Sequence, residues 1–458
     1  MEKEKNNRSS FSGKIGFVLS AAGASVGLGN IWRFPYLAAK YGGGIFLLIY
    51  ILLALTFGYT MIVAESALGR MTRKSPVGAF KFFGKKAGWL SFGGWINAII
   101  PVLIVPYYSV IGGWVVKYLF EYIRGNGSKL AEDGYFSGFI SNGGATEICF
   151  VIFCMFTLVI IYAGVQNGIE RVSKIMMPIL VVLSVIIAIY SVTRPGAIEG
   201  VKYFLVPNVK NFSWMTVVAA MGQMFYSLSI AMGILVTFGS YMRKDTSIED
   251  STRNVEIFDT AIAMMAGLMI IPAVFAFSGG DPDTLQAGPS LMFITIPKVF
   301  ANMGFGTAVG ILFFVLVLFA AVTSSIALTE SAVSTFEDEL GWGRKKATVL
   351  TGVIMITLGT LSCLGYGPLD FVKIIGMQFL DFFDFLTNSV MMPIAALMTS
   401  LLVSRVIGVD KIEEEIRHGE STFRRKKIFV VMIKYLCPIF ALIILASSVA
   451  NAFGWIAM

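Results

Sequence analysis

Charge is scarce in this chain of 458 residues. Asp, Glu, Lys and Arg together make up only 14% of it, whereas apolar residues make up 56%. Soluble domains carry about 25% charged residues, so this composition could not cover a water-facing surface of the required size. We therefore expect the chain to lie in a lipid bilayer.

Histidine and cysteine are also scarce, which limits the chemistry. The only histidine, His418, lies in a charged segment, and the cysteines lie in apolar runs without metal-ligand spacing: Cys149, Cys154, Cys363 and Cys437. Disulfides, a zinc site and His-dependent catalysis are therefore disfavoured. The first apolar segment contains Asn30 and Arg33 and is not followed by a small-residue cleavage pattern, so we expect no removable signal peptide.

Long apolar runs dominate what is present. Uncharged runs such as 45–64 and 175–192 have the length of a bilayer-crossing helix. The sequence thus predicts an all-α polytopic membrane protein with eleven transmembrane helices, near residues 16–37, 42–69, 89–122, 147–164, 169–192, 212–241, 256–278, 302–336, 345–364, 376–404 and 429–456. We expect one transmembrane domain over 1–458, with one half at about 14–192, a second at about 212–404 and an extra helix at about 429–456.

The basic residues indicate the orientation. Lys and Arg, 36 in all, concentrate in alternate loops such as 70–86 and 405–427, and basic loops stay on the cytoplasmic side. A cytoplasmic N-terminus follows, and an odd number of spans then puts the C-terminus outside. Such runs could also bind anionic lipid or nucleic acid, but they are the ordinary result of membrane insertion. We expect a lipid bilayer and no nucleic acid as partner, and the oligomeric state stays open.

Two spans carry helix breakers at mid-bilayer depth. Residues 23–35 combine glycines, a proline and polar side chains, and the sixth span has Ser227, Ser229 and Gly233 between apolar halves. Either set alone could be a small-residue packing face. Their positions as opening helices of two five-helix halves favour inverted repeats whose broken helices meet at the midplane. Half-helix ends would offer N–H groups to a carboxylate and carbonyls to a cation, which suits a zwitterion with sodium.

Residues 23–35, GASVGLGNIWRFP, closely resemble the first-helix signature of the neurotransmitter:sodium symporter family, which has the LeuT fold. The resemblance continues in order at 42–44, 107–108, 223–233, 320–325 and 381–384, so it covers nearly the whole chain. Family members commonly have twelve spans, and this chain is expected to have eleven, as some bacterial members do. The resemblance implies a symporter of a bacterial plasma membrane, not an enzyme, that imports an amino acid by alternating access.

The resemblance also implies two sodium sites. The first would be formed, with the substrate carboxylate, by oxygens of Ser25, Asn30, Ser227 and Asp259. The second would be formed by the carbonyls and hydroxyls of Gly23, Val26, Ala320, Thr323 and Ser324. Hard oxygen ligands suit sodium, although Ser and Thr in membrane helices also commonly bond to their own helix.

Asp259 departs from the family pattern, which often has Asn at this position. Chloride-dependent members bind chloride close by, and a buried carboxylate could supply that negative charge itself. We therefore predict that chloride is not required, with proton exchange on the return step left open. The alternative is a carboxylate at the cytoplasmic mouth of the seventh span, paired with Arg253.

The resemblance implies a substrate site formed by Ser25, Gly27, Leu28, Gly29, Ile104, Tyr108, Tyr226, Ser227, Ser229, Met232, Ser324 and Leu328. The carboxylate would meet N–H groups near Leu28 and Gly29 and the Tyr108 hydroxyl. Gly27 stands where amine-transporting relatives carry Asp, which implies a substrate that brings its own carboxylate. With flexible Met232 in an otherwise apolar pocket, a hydrophobic or aromatic L-amino acid fits best, although such residues also serve as ordinary packing.

Gate and support residues follow from the same resemblance. The outer gate would join Arg33 to Asp384, with Asp381 nearby, and the inner gate would comprise Arg8, Phe11, Tyr241 and Asp338. Charges at helix ends could instead contact only water.

Three further residues have expected structural roles. We expect Glu65 to hold the unwound backbone by hydrogen bonds. Gly168 and Pro178 would frame a locally unwound start of the fifth span, or simply an ordinary helix start.

Other functions are less well supported by the residues. A channel would need a continuous polar pore and commonly a symmetric oligomer, and an intramembrane enzyme would need a catalytic motif that is not evident. A receptor or sensor of amino acids built on the same scaffold stays open.

Overall fold

The computed structural model describes residues 9–278 and 288–455. These residues form helices, and the only β pairing among them is two isolated bridges. The helices of the first half are α1 Lys14–Ser25, α2 Gly29–Lys40, α3 Gly44–Thr72, α4 Pro76–Lys81, α5 Gly88–Ile123, α6 Gly127–Leu130, α7 Tyr135–Ser141, α8 Gly143–Tyr162, α9 Val165–Val192 and α10 Ala197–Leu205. Those of the second half are α11 Trp214–Ser227, α12 Ile234–Tyr241, α13 Ile248–Ser278, α14 Leu291–Ala301, α15 Gly306–Leu340, α16 Arg344–Leu364, α17 Phe379–Ile407, α18 Val409–Arg417 and α19 Lys426–Ala452.

The predicted all-α membrane class is confirmed. Within the described ranges, nine helices are long and apolar enough to cross a membrane, and the bent pair α1 and α2 makes ten. Helices α11 and α12 follow one another across a longer break. Counting this pair as one more span would give the predicted eleven, and that number stays a prediction.

Span boundaries agree with the predicted ones to within a few residues, except at α13. This helix begins at Ile248, well before the predicted start near 256. Its first turn carries Glu249 and Asp250, and acidic residues stabilise a helix N-terminus. Apolar run length marks only the part of a helix that lies in hydrocarbon, so this polar turn was missed.

Helices α3 and α12 pack with their backbones in contact. A Cβ on Gly69 would lie 2.0 Å from the Val236 carbonyl oxygen, and one on Gly239 would lie 2.5 Å from the Ser66 carbonyl oxygen. Only glycine permits such an approach. The second half of the sixth span is therefore held firmly against α3.

A clasp on the predicted cytoplasmic side joins α18 to the end of α3. Arg70 is fully buried, and its Nε donates to Glu415 Oε1 at 2.7 Å. Its Nη1 donates to the Thr246 carbonyl at 2.6 Å, so the same side chain also ties down the segment before α13. Breaking a buried pair of this kind costs much more than the pair contributes on its own, because one charge stays buried without its partner.

Candidate functional site

The first span is broken between α1 and α2, whose axes differ by 53°. Helix α1 ends at Ser25, and Val26 is extended, with ψ at 91°. The chain resumes helical structure at Gly29, in a π-helical turn that ends at Arg33. The Gln223 side chain donates to the Gly29 carbonyl at 3.0 Å, which satisfies one group freed by the break.

The second break lies between α11 and α12. Ser229 and Ala231 have left-handed backbones, with φ at 53° and 60°, a conformation that costs about 1–3 kcal/mol for a residue other than glycine. Glu65, predicted to hold the unwound backbone, accepts the Ala231 N–H at Oε1, 2.8 Å away. The Ser229 hydroxyl donates to the Ala24 carbonyl at 2.9 Å and thus connects the two breaks directly.

A cluster of oxygen-bearing side chains lies next to the two breaks, where α2, α3, α11 and α13 meet. Asn30 donates through Nδ2 to Asp259 Oδ1 at 2.7 Å and to the Ser227 hydroxyl at 2.9 Å. Ser227 Oγ donates to the same carboxylate oxygen at 2.7 Å, and the Tyr50 hydroxyl donates to Oδ2 at 2.7 Å. All four residues are buried. The structure therefore brings together the side chains predicted for the first sodium site.

The alternative pairing for Asp259 is wrong. Arg253 lies nearer the start of α13, with Nη2 3.5 Å from Asp250 Oδ1. Asp259 lies further along the helix among the neutral donors described above, and its exposed fraction is 0%.

A second oxygen cluster joins α1 to α15. The Ser324 hydroxyl lies 3.2 Å from the Gly23 carbonyl oxygen and 3.4 Å from that of Val26. Thr323 Oγ1 lies 3.2 Å from the Ala320 carbonyl oxygen, and Thr323 Cβ would lie 3.1 Å from a Cβ on Gly23. The residues predicted for the second sodium site thus share one location.

Between the breaks lies a cavity of about 30 Å³. It is lined by Ala24, Ser25, Gly27, Leu28, Gly29, Asn30, Ile104, Tyr108, Tyr226, Ser229, Met232, Ser324 and Leu328. Every predicted substrate residue lines it except Ser227, whose hydroxyl instead accepts a hydrogen bond from Asn30. A Cβ on Gly27 would lie 2.7 Å from the Ser324 hydroxyl oxygen, so a side chain there would occupy the cavity itself.

A larger cavity of about 360 Å³ lies on the other side of Tyr226, and we call it the vestibule. Tyr226 lines both spaces. Arg33, Asp381 and Asp384 line the vestibule as well, so the predicted outer gate residues do face one space.

The outer gate residues are not paired with one another. Within the described chain no ion pair joins Arg33 to Asp384. Arg33 lies over the Tyr226 ring, 5.4 Å from its centre. Asp384 accepts from the Tyr107 hydroxyl at 3.1 Å and from Asn388 at 2.6 Å.

The predicted inner gate is closed around Phe11. Its exposed fraction is 1%, and its N–H donates to the Tyr241 carbonyl at 3.1 Å. The Tyr241 hydroxyl donates to Glu330 at 2.7 Å, and Arg344 holds the same carboxylate with its Nη2 2.5 Å from Oε2. Asp338 accepts the N–H of a residue before α4, Ser75, at 2.6 Å. Arg8, the remaining predicted gate residue, lies outside the described residues.

Gly168 and Pro178 do not frame an unwound segment in this structure. Gly168 lies in a π-helical turn, and Pro178 lies inside the continuous helix α9. The ordinary helix start, which was the alternative, describes this conformation.

Three contacts near the site were not anticipated from the sequence. Gln223 could have been noticed as a polar residue within an apolar half-span. Tyr50 carries no such signal, since Tyr is common in apolar runs, and its hydroxyl becomes significant only beside Asp259. Glu330 within α15 and Arg344 at the start of α16 look like two unrelated charges until the fold brings them together.

Comparison with known proteins gives this geometry a context. The sequence profile of the Sodium:neurotransmitter symporter family matches residues 8–128 and 135–454. The chain belongs to this family.

Relatives of known sequence agree with this assignment. An uncharacterized sodium-dependent transporter of Bacillus subtilis (strain 168), YhdH, is 37% identical over 90% of this chain and 91% of its own length. An uncharacterized sodium-dependent transporter of Haemophilus influenzae is 32% identical over 98% of this chain and 100% of its own.

A solved structure supports the fold. The crystal structure of MhsT in complex with L-phenylalanine superposes with a TM-score of 0.86 at 36% identity, and the match covers 96% of this chain and 100% of MhsT. The predicted LeuT fold is therefore confirmed. As a member of the sodium:neurotransmitter symporter family, the chain is a sodium-dependent multi-pass membrane transporter and not an enzyme.

Proposed function

We propose that this family member imports a hydrophobic or aromatic L-amino acid by sodium-coupled symport with alternating access. The observation that carries the proposal is the meeting of two broken helices at one small cavity beside the buried Asp259. Main-chain N–H groups at Leu28 and Gly29 suit a carboxylate, and carbonyls at the helix ends suit an ammonium group or a cation.

The side-chain part of the cavity supports an apolar substrate. Ile104, Met232 and Leu328 form its wall with the rings of Tyr108 and Tyr226. MhsT, which this chain resembles, was solved with L-phenylalanine bound. At about 30 Å³ the cavity is far below the roughly 300–1,000 Å³ of ligand pockets, so binding requires Tyr226 or flexible Met232 to move outward.

The donor sets of both clusters fit sodium, because they consist of carboxylate, hydroxyl, amide and carbonyl oxygens. In the first cluster the Asn30 amide now points Nδ2 at Asp259. A half-turn of this amide would aim Oδ1 at a cation beside Ser227. In the second cluster, the hydroxyls of Thr323 and Ser324 would turn lone pairs toward the ion instead of donating to carbonyls.

We further propose that transport needs no chloride, since Asp259 already places a negative charge in the first cluster. Its carboxylate receives three neutral donors and is fully buried. Buried charges need such partners or a counter-ion, and a sodium ion would provide the latter.

The energetics allow substantial accumulation. A sodium ion contributes about 2.3 kcal/mol across 100 mV and about 1.4 kcal/mol for a tenfold gradient. Two ions would therefore sustain roughly a 10⁵-fold substrate gradient. This requires that ions favour the closed states by binding them more tightly, and a carboxylate shared between substrate and first sodium would provide that link.

Uptake into sealed proteoliposomes tests the proposal. We expect radiolabelled amino acid to accumulate above equilibrium with an inward sodium gradient and not with choline. Downhill flux alone would indicate a channel, and binding without flux would indicate a sensor, so either result would contradict symport. Competition by all twenty amino acids would then identify the substrate.

A substitution on α15 makes the sodium assignment specific. Thr323→Val should raise the sodium concentration for half-maximal uptake at least tenfold, because one proposed ligand is lost. Thr335→Val is a matched control, since its hydroxyl also bonds within the helix, to the Ser331 carbonyl at 2.9 Å, but lies away from the cluster. Equal effects of the two changes would exclude a special role for Thr323.

The orientation and internal repeat are part of the proposal. We place the protein in a bacterial plasma membrane with the N-terminus in the cytoplasm and the C-terminus outside, and with 14–192 and 212–404 as inverted repeats. Alkaline phosphatase fused after the last helix should be active, because this enzyme works only outside the cytoplasm. An inactive fusion that is expressed normally would instead indicate that the C-terminus lies in the cytoplasm.

A further inference from the structure

An apolar groove of about 360 Å³ runs between α8 and α16 on the outer face of the helix bundle. Its rims are open, with Val159 63% and Val353 58% exposed. The groove is deep at Gly352, where a Cβ would lie 3.0 Å from the Leu158 side chain. An open apolar groove within membrane-spanning helices has the shape and polarity of an acyl-chain site.

The predicted cytoplasmic end of this groove is basic. The short loop before α16 and the first turn of α16 form a second cavity, of about 380 Å³, whose lining includes Arg344, Lys345 and Lys346. Arg344 is engaged by the buried Glu330. Both lysines are exposed, and neither forms an ion pair with any residue that the structure describes. Two lysine ammonium groups are therefore available to bind an anion at this end of the groove.

Tyr162 is the groove residue that contacts the basic end. This residue lines the groove, and the Lys345 ammonium lies 5.6 Å from the centre of its ring. The same end carries the N-terminus of the 21-residue helix α16, whose N-cap residue Gly343 offers no side chain to the free N–H groups. A helix N-terminus attracts anions, so its field adds to that of the lysines.

An unpartnered hydroxyl lies one turn further into the groove. Thr348 lines the groove and is 4% exposed, and its Oγ1 has no hydrogen-bond partner in the part of the chain that the structure describes. Leaving such a group unsatisfied costs about 1–3 kcal/mol. A hydrogen-bond acceptor from a bound molecule would remove that cost, and it would lie between the basic end and the apolar part.

We propose that this groove binds an anionic phospholipid. The phosphate meets Lys345, Lys346 and the α16 N-terminus, a glycerol ester oxygen accepts from Thr348, and an acyl chain lies between α8 and α16. The order of the chemistry along the groove, cationic then polar then apolar, matches the order of groups in such a lipid. Charge complementarity favours an anionic headgroup over a zwitterionic one.

Native mass spectrometry of the full chain with phosphatidylglycerol tests the basic end. The K345Q/K346Q variant should bind this lipid at least tenfold more weakly than the parent. The matched control is K85Q/K86Q, which removes two exposed lysines from another basic loop, and it should bind like the parent. If both variants bound the lipid equally weakly, the attraction would come from the overall positive charge and not from this site. Equal binding of phosphatidylcholine and phosphatidylglycerol by the parent would also overturn the proposal.

A second pair of variants tests the groove independently of charge. Val353→Trp should fill the groove and release phosphatidylglycerol, although both lysines are kept. Val182→Trp is the control, since Val182 is 57% exposed on α9 away from the groove. Inorganic phosphate should not displace the lipid, because it lacks the chain. Retention of the lipid by the Val353 variant, or displacement by phosphate, would show that the groove is not the site.

Discussion

Replacing Asp259 by Asn tests the electrostatics on which sodium coupling is proposed to depend. The carboxylate is fully buried and receives Asn30, Tyr50 and Ser227, each at 2.7 Å. Asn keeps the shape and one oxygen but removes the negative charge. Losing one partner of a buried charge pair costs about 2–5 kcal/mol, so even the lower value predicts a sodium affinity about 30-fold weaker.

The assay is sodium-dependent uptake in proteoliposomes, with chloride or with gluconate in its place. Parent protein should lose less than half its uptake without chloride. The Asp259→Asn variant should need about 30-fold more sodium and should become chloride-dependent, because a chloride ion could restore the missing charge. Asp245→Asn is the control, since that side chain is 66% exposed and pairs with nearby Arg243. A strict chloride requirement in the parent, or unchanged sodium dependence in the variant, would refute the reasoning.

Three further changes test the cavity and its support. Gly27→Ala should lower uptake at least tenfold, because the new Cβ would lie 2.7 Å from the Ser324 hydroxyl oxygen in the cavity. Glu65→Ala should lower the thermal unfolding midpoint, because a buried main-chain N–H loses its acceptor at a cost of about 1–3 kcal/mol, whereas Glu65→Gln should stay close to the parent. Arg70→Met should destabilise the protein by about 3–5 kcal/mol, because the buried Glu415 loses its 2.7 Å partner and keeps longer contacts to Lys244, at 3.8 Å, and His418, at 3.9 Å.

Each of these three substitutions has a control variant. Gly138→Ala is the control for the cavity, since no atom of the described residues lies within 4 Å of a Cβ there, and an equal loss of uptake would contradict the steric argument. If Glu65→Gln were as unstable as Glu65→Ala, the hydrogen bond would not be the cause. Adding Glu415→Gln to Arg70→Met should recover part of the lost stability, and no recovery would mean that the buried charge is not responsible.

The membrane class and the positions of the helices could be predicted because the bilayer imposes its own length and polarity on the chain. A span needs about 20 apolar residues with all main-chain groups bonded internally, and composition reveals such runs directly. The same logic failed at Ile248, since the polar first turn of α13 lies outside hydrocarbon. Helix breakers from Gly23 to Pro35 likewise indicated the first break, because they are local in sequence.

The residues that line the cavity were predicted through the family resemblance, which supplied the positions that face one another. Partners distant in sequence are a different matter. Asn30 meets Asp259 across 229 positions, and Tyr50 joins them from a third helix. The residues next to Tyr50 in the sequence do not indicate its role, because that role depends on the contact of its hydroxyl with Asp259.

Conformation, finally, is a property of packing and not of the residue pattern. Residue types would allow Arg33 and Asp384 to pair, yet here both line the vestibule without pairing. Glycine at 168 would allow an irregular backbone, yet here it lies in a wound turn of α9. Residue types set which structures are allowed, through bilayer thickness and backbone freedom. Which of these the chain adopts depends on small differences between packed states, and those arise only from contacts among all the helices together.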